Sequence, residues 1–169
     1  IVIEWLSDIK VDLTSNWVIA GLLPRSGLAA IYGKPGSGKT FLAIDLACHI
    51  AAGLPWAGRK VEKGAVIYIA AENPRSIMNR CALWRDVKKV DPVPPFGVIP
   101  KTLNLRDPKA DLPDLIAWLS DTEEHSGRVA CVVVDTLARV MAGGDENTAQ
   151  DMGGVINVCD QIRDEFDTA

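Results

Sequence analysis

The stretch that decides the fold is "GKPGSGKT", residues 33–40. Its spacing, G-x-x-x-x-G-K-[S/T], is typical of a phosphate-binding loop and matches at every specified position. The apolar run 28–32 before it predicts a buried strand, and the Ala- and Leu-rich run 39–52 after it predicts a helix that ends at Gly53. A Gly-rich turn can match the pattern by chance, but these two flanks favour the phosphate-binding loop.

Each residue type in this loop has a physical reason to be there. Glycines let the backbone curl so that successive N–H groups point at phosphate oxygens, and the dipole of the following helix adds positive potential. Lys39 is expected to reach the β- and γ-phosphates of ATP, which also makes it a catalytic candidate, and the Thr40 hydroxyl is expected to coordinate Mg²⁺. The predicted ligands are therefore ATP and Mg²⁺, with nucleotide contacts from Gly33, Lys34, Pro35, Gly36, Ser37, Gly38, Lys39 and Thr40.

Strand and helix patterns alternate along the rest of the chain. Strands are predicted at 65–70, 96–99 and 128–135, the second of them fenced by prolines and therefore at a sheet edge. Helices are predicted at 74–90 (buried face Ile77, Cys81 and Trp84), after an Asp111 cap (Leu112, Leu115, Ile116 and Leu119), and at the end of the chain (Met152, Val155, Ile156, Cys159 and Ile162). This alternation predicts an α/β fold, a mainly parallel sheet flanked by helices, as a single domain over residues 1–169.

Composition restricts the class of protein. The 169 residues are 48% hydrophobic and 24% charged, with a net charge of −4, so no overall basic field would attract nucleic acid. No apolar run reaches the roughly 18 residues of a membrane span, and four scattered cysteines indicate a reduced, cytoplasmic protein. His49 and His125 have no partners at ligand spacing, which argues against a metal site built from protein side chains alone.

Two carboxylates are predicted at the carboxyl ends of parallel strands. Asp135 ends the run "CVVVD" and should face the same crevice as the phosphate loop, where it would hold Mg²⁺; alternatively it caps the next turn. Glu72 ends the strand "AVIYIAAE" at the same edge, where it could act as the general base that deprotonates the attacking water. Thr136, not a second acid, follows Asp135, which leaves Glu72 for this role unless it is an ordinary solvated strand end.

The phosphate-binding loop, Glu72 after the next strand and the single acid Asp135 at the end of a later strand together resemble the motifs of the RecA-like ATPases. The segments "GLLPRSGLAAIYGKPGSGKTFLAIDLA" and "VVVDTLARVMAGGDEN" are similar to sequences of the RepA-type AAA ATPases of plasmids and phages, which are relatives of hexameric replicative helicases. The similarity extends from about residue 16 onward. The resemblance implies that Glu72 is the catalytic base. It also implies a homo-oligomeric ring, hexameric at full length, with nucleotide between subunits and single-stranded DNA as a possible partner. The loop "AGGDENT" corresponds to a DNA-binding loop at the ring centre, although its Asp145 and Glu146 give no support to DNA contact.

The resemblance leaves parts of the family pattern without a counterpart. The next strand, with its polar sensor, and the segment with the arginine finger are not matched, so we expect this chain to be the N-terminal part of such a domain. Arg80, Arg85 and Arg139 are interpreted as surface or interface residues without an assigned role. In the RecA-like strand order the next strand separates 28–32 from 130–134, so these two segments should lie unpaired and roughly 9–10 Å apart.

Two other functions fit the same residues. A nucleotide-gated adaptor would bind ATP to control assembly with little turnover. A kinase with a phosphate loop would need an Arg-bearing lid over an acceptor site, and no such segment is visible in the sequence. The main hypothesis is therefore an MgATP-hydrolysing motor domain.

Overall fold

The structure, a computed structural model, describes residues 5–7, 16–145 and 148–169. The elements follow in the order β1 (Trp17–Ile19), β2 (Leu23–Pro24), α1 (Lys39–Ala52), β3 (Ala65–Ala70), α2 (Pro74–Lys88), β4 (Phe96–Ile99), α3 (Leu112–Ser126), β5 (Val129–Asp135), α4 (Leu137–Val140) and α5 (Ala149–Phe166). Glu146 and Asn147 of the acidic loop lie outside the described residues, so the assignment of this loop to DNA stays a prediction.

A parallel three-stranded sheet forms the centre of the fold, in the order β4-β3-β5. Residues 66–69 of β3 pair in register with 96–99 of β4, and on its other side β3 pairs with β5 so that Ala70 stands opposite Asp135. The predicted α/β class is confirmed, and so is the edge position of the strand at 96–99. β1 and β2 form a separate antiparallel pair.

Helices cover both faces of this sheet. Val66, Tyr68 and Ala70 of β3 pack against α1 and α2 on one face, while Ile67 and Ile69 pack against α3 and α5 on the other. All six residues of β3 are buried, because alternate side chains of a parallel strand enter two separate apolar cores. The central strand is therefore covered by helices on both faces along its whole length.

The first helix ends as its sequence predicts, but two other helical details differ. Gly53 closes α1 in the left-handed conformation, φ 68°. Asp111 is the N-cap residue of α3, as predicted, but its side chain makes no capping hydrogen bond: its carboxylate instead accepts the Asn104 N–H at 2.7 Å, which is the main cause that lowers the pKa of Asp111. On α5 the prediction for Ile156 is wrong, since it is 41% exposed while Val158, one helical turn after the buried Val155, faces the core.

The predicted strand at 28–32 is also wrong. These residues form no strand, and Leu28, Ile31 and Tyr32 are exposed, Tyr32 by 93%. The physical reason is that a buried strand needs ladder partners, and no strand within the described residues lies beside this segment. Residues 28–32 do not pair with residues 130–134, which agrees with the expected RecA-like strand order. That expectation assumed, however, that residues 28–32 form a strand.

The outer edge of β5 is occupied at its start by the last residue of the chain. Ala169 donates its N–H to the Ala130 carbonyl at 3.2 Å and accepts the Val132 N–H at 2.8 Å. These two bonds have the pattern of a parallel ladder, on the edge of β5 that faces away from β3. Further along, residues 132–135 are only half-buried, so the prediction that both faces of this strand are fully buried holds for its first three residues alone.

Candidate functional site

A cleft of about 220 Å³ opens at the carboxyl ends of β3 and β5, beside the start of α1. It brings together Thr40, Glu72 and Asp135, three residues that are far apart in the sequence. The other lining residues come from the start of α2: Asn73, Ser76, Ile77 and Arg80. The parallel register explains the convergence, because strands that run in one direction end at one edge of the sheet.

The glycine-rich segment beside this cleft is a tight turn that leads into α1. The Ser37 N–H donates to the Lys34 carbonyl at 3.2 Å, with Pro35 and Gly36 at the two central positions. Gly36 has φ 76° and Gly38 has φ 88°, a region in which a side chain is strained. A β-carbon at either position would meet no atom within 4 Å, so the backbone angle, not space, requires glycine there.

The start of α1 presents unpaired donors. Gly38 precedes the helix without a side-chain cap, and the first turn contains no acidic residue, so the first N–H groups and the positive end of the helix dipole are not neutralised. The Lys39 ammonium lies across the loop and donates to the carbonyls of Gly33 at 2.8 Å and Lys34 at 3.2 Å. A phosphate group bound at this helix start would meet N–H donors and a lysine together.

Asp135 is oriented by a tyrosine that the sequence reading missed. The Tyr68 hydroxyl donates to Asp135 Oδ2 at 2.8 Å, and Tyr68 itself is fully buried. Burial, together with this bond to a carboxylate, raises the pKa of Tyr68, so the phenol stays protonated and acts as a donor. The sequence contained one usable signal: Tyr68 is a polar-tipped residue in an otherwise apolar central strand.

Glu72 lies at the mouth of the cleft, two residues beyond β3. It is half-exposed, and its Oε1 is 4.0 Å from Arg139 Nη2, a contact across two exposed side chains that is worth little in water. The location is compatible with both sequence interpretations, a solvated strand end and a base at the cleft, and its role stays a prediction. Arg139, interpreted from sequence as a surface residue, is indeed exposed but lies within reach of this carboxylate.

The first turn of α2 supplies further cleft residues that the sequence reading did not assign. Asn73 caps the helix, with Oδ1 accepting the Ser76 N–H at 3.3 Å. Arg80, interpreted as a surface or interface residue, instead lines the cleft, and its guanidinium lies 4.1 Å from the centre of the Phe41 ring. A cation–π contact of this kind holds the guanidinium next to the end of the phosphate loop.

The residues at this edge fit a magnesium–nucleotide pair. Thr40 and Asp135 offer hydroxyl and carboxylate oxygens, the donors that Mg²⁺ prefers, and Mg²⁺ usually binds through one or two such groups plus phosphate and water. No hydrogen bond or ion pair from the described residues reaches Oδ1 of Asp135. The described part of the chain has no group of three or more His, Cys, Asp or Glu side chains that could hold a metal ion. A cation here would therefore depend on the nucleotide for its remaining ligands.

Among the described residues, no helix combines the length and apolar character needed to cross a bilayer.

Comparison with known proteins identifies a family. The family model for an AAA domain covers residues 6–169, which is nearly the whole chain. No curated protein and no solved structure matches this chain significantly. The matched span includes the glycine-rich loop, both strand-end carboxylates and the helices on each face of the sheet. The chain therefore belongs to the AAA family of nucleotide-binding ATPase domains.

Proposed function

We propose that this domain binds MgATP at the 33–40 loop and hydrolyses it with Glu72 as the general base. The observation that carries the proposal is the single cleft that contains Thr40, Glu72 and Asp135 next to the uncapped start of α1. Phosphate binding alone would explain the loop, but it would not require two strand-end carboxylates at the same edge. A metal ligand and a base are the two roles that hydrolysis adds.

The roles follow from position. The N–H groups of the loop and of the first turn of α1 bind the phosphates, and Lys39 exchanges its bonds to Gly33 and Lys34 for phosphate oxygens. Thr40 and Asp135 would hold the cation, and a bound cation would supply positive charge next to the phosphates.

Glu72 orients the attacking water and accepts its proton. Its half-exposed position at the cleft mouth gives it access to water, and a positioned base of this kind contributes roughly 10²–10⁴-fold to a rate. Arg139 lies close enough to compete with water for the Glu72 carboxylate.

The finer assignment, a RepA-type motor, is also a proposal. It is supported by the two sequence segments that resemble RepA-type ATPases, one around the 33–40 loop and one that begins at the end of β5. It adds a homo-oligomeric ring, single-stranded DNA as the partner and a cytoplasmic location. The four free cysteines agree with a reducing compartment. A helicase role would follow from the ring and the DNA, not from the site itself.

The test compares three variants in nucleotide binding by calorimetry and in phosphate release, each with and without single-stranded DNA. Lys39→Ala should abolish tight nucleotide binding. Glu72→Gln should keep MgATP affinity within a few-fold and cut turnover by roughly 10² or more, because the amide is nearly isosteric but cannot take a proton. Asp135→Asn should weaken the Mg²⁺ dependence of binding.

Glu124→Gln, on an exposed position of α3, is the matched control and should leave turnover unchanged. Near-parental hydrolysis by Glu72→Gln would show that Glu72 is a solvated strand end. Tight binding with negligible turnover in the parent chain, with or without DNA, would favour the nucleotide-gated adaptor. Stimulation by DNA would support the motor.

A further inference from the structure

Tyr68 is a polar side chain inside an apolar layer. It is fully buried in the central strand, and its ring stacks on Phe96 of the neighbouring strand, with centroids 6.1 Å apart and planes 24° from parallel. Its hydroxyl donates to Asp135 Oδ2 at 2.8 Å. A phenylalanine would fill the same layer without the cost of burying an oxygen, so packing alone does not account for the hydroxyl.

The backbone fixes the distance between the two residues. Tyr68 stands opposite Val133 in the β3–β5 ladder, and Asp135 follows two residues further toward the cleft. Both side chains start from paired strands, and the tyrosine ring is clamped by its neighbours, so the hydroxyl has little freedom to move. The bond therefore restricts the Asp135 side chain instead of following it.

The consequence concerns the other carboxylate oxygen. With Oδ2 bound to Tyr68, Oδ1 is the carboxylate oxygen that no hydrogen bond or ion pair from the described residues reaches, and Asp135 lines the cleft together with Thr40. A carboxylate held in one orientation loses less freedom when it binds a cation, which is how outer partners raise metal affinity.

We propose that Tyr68 is a positioning residue for the magnesium site: its hydroxyl fixes the Asp135 carboxylate so that one oxygen is presented to the cation. This inference rests on the proposed MgATP function. Tyr68 does not touch the nucleotide and is not itself catalytic.

The experiment measures ADP affinity by calorimetry with saturating Mg²⁺ and with EDTA, for the parent chain and for Tyr68→Phe. The variant should bind ADP in EDTA as the parent does, because the phosphate loop is untouched. The gain in affinity on adding Mg²⁺ should shrink by about 10-fold, the lower end of the effect of losing an outer partner of a metal ligand. Tyr32→Phe is the matched control, since Tyr32 is 93% exposed, and it should show the parental gain.

A purely structural tyrosine predicts a different result: lower stability with an unchanged gain from Mg²⁺, and that result would overturn the inference. In the Asp135→Asn background, Tyr68→Phe should cause no further loss, since the two residues act through one bond. Additive losses would also count against it. If the parent chain gains nothing from Mg²⁺, the proposed function fails along with the inference, whereas a parental gain that Tyr68→Phe retains sinks the inference alone.

A second measurement needs no substitution at Tyr68. The chain contains two tyrosines, so labelling with 3-fluorotyrosine gives one buried and one exposed fluorine resonance. Adding Mg²⁺ to the ADP complex should shift the Tyr68 resonance and leave that of Tyr32 in place, and the shift should vanish in Asp135→Asn. A Tyr68 resonance that does not respond to Mg²⁺ would overturn the inference.

Discussion

Asp45 of α1 joins three parts of the fold through one carboxylate. Its Oδ2 accepts the indole N–H of Trp56 at 2.8 Å, and its Oδ1 accepts that of Trp84 at 2.9 Å. Trp56 lies in the loop after α1 and Trp84 lies on α2, whose first turn lines the cleft. His49, one turn further along α1, contacts the Trp84 ring edge-on at 5.0 Å. Substitution of Asp45 should therefore lower stability by an amount that can be worked out from these bonds.

The change Asp45→Asn keeps the shape but leaves a single acceptor oxygen. One indole N–H loses its partner and faces an NH₂ group. A hydrogen bond to a charged group contributes about 1.5–3 kcal/mol, and the Asp45 side chain is 42% exposed, so water recovers part of the loss. We expect the free energy of unfolding to fall by about 1–2 kcal/mol for Asp45→Asn and by about 2–3 kcal/mol for Asp45→Ala, which removes both bonds. For a chain of this size each kcal/mol lowers Tm by about 2–4 °C.

The assay is urea unfolding followed by circular dichroism and by tryptophan fluorescence. The control is Asp86→Asn, the same change on an exposed residue of α2 whose carboxylate pairs, among the described residues, only with its neighbour Arg85. That pair should contribute less than about 0.5 kcal/mol. If Asp45→Asn costs no more than Asp86→Asn, the two indole bonds do not stabilise the junction and the reasoning is refuted.

Two further predictions use matched positions within the chain. On α5, Gly153→Ala should raise Tm, because the new methyl group meets open space and alanine is about 1 kcal/mol more favourable than glycine in a helix. Gly154→Ala should lower Tm, because its β-carbon would lie 2.6 Å from a main-chain carbonyl oxygen. Equal shifts of Tm in thermal unfolding of the two variants would contradict this prediction. In native protein at pH 8.5, iodoacetamide should modify Cys81 before Cys131, because a hydrogen bond with Cys48 lowers the pKa of Cys81 and burial raises the pKa of Cys131 to about 12. Peptide mass spectrometry gives the order, and in urea the difference should disappear; equally fast labelling of Cys131 in the folded state would be inconsistent with its burial.

Elements set by local pattern could be predicted from the sequence. The helix that begins at Lys39 and ends before Gly53 needs only the glycine at each end and the Ala- and Leu-rich run between them. The strand at 65–70 is apolar apart from the hydroxyl of Tyr68 and lies between turn residues, so its type and its bounds follow from the sequence. The convergence of Glu72 and Asp135 on one cleft also follows, because it depends only on the parallel direction of their strands.

Features that depend on distant partners could not be predicted in the same way. The apolar run 28–32 has the composition of a strand, but a strand forms only where a neighbour accepts its hydrogen bonds. The Tyr68–Asp135 bond joins residues 67 apart in the sequence, and its existence depends on the register of two strands. Arg80 was interpreted as a surface or interface residue without an assigned role, and a helical pattern does not reveal that its guanidinium lies over Phe41.

The register of β3 against β5 also limits which acids the site can use. Ala70 stands opposite Asp135. The two strands that lead to Glu72 and Asp135 therefore end side by side, at the inter-strand spacing of about 4.8 Å. Backbone geometry therefore sets the spacing of the two main-chain segments from which these side chains extend. An added methylene at Asp135 would push its carboxylate outward by more than the tolerance of an Mg²⁺–oxygen bond, which is about 2.0–2.1 Å long and close to invariant. In the proposed magnesium site, aspartate and glutamate at position 135 are therefore not interchangeable, because their carboxylates lie at different distances from the backbone.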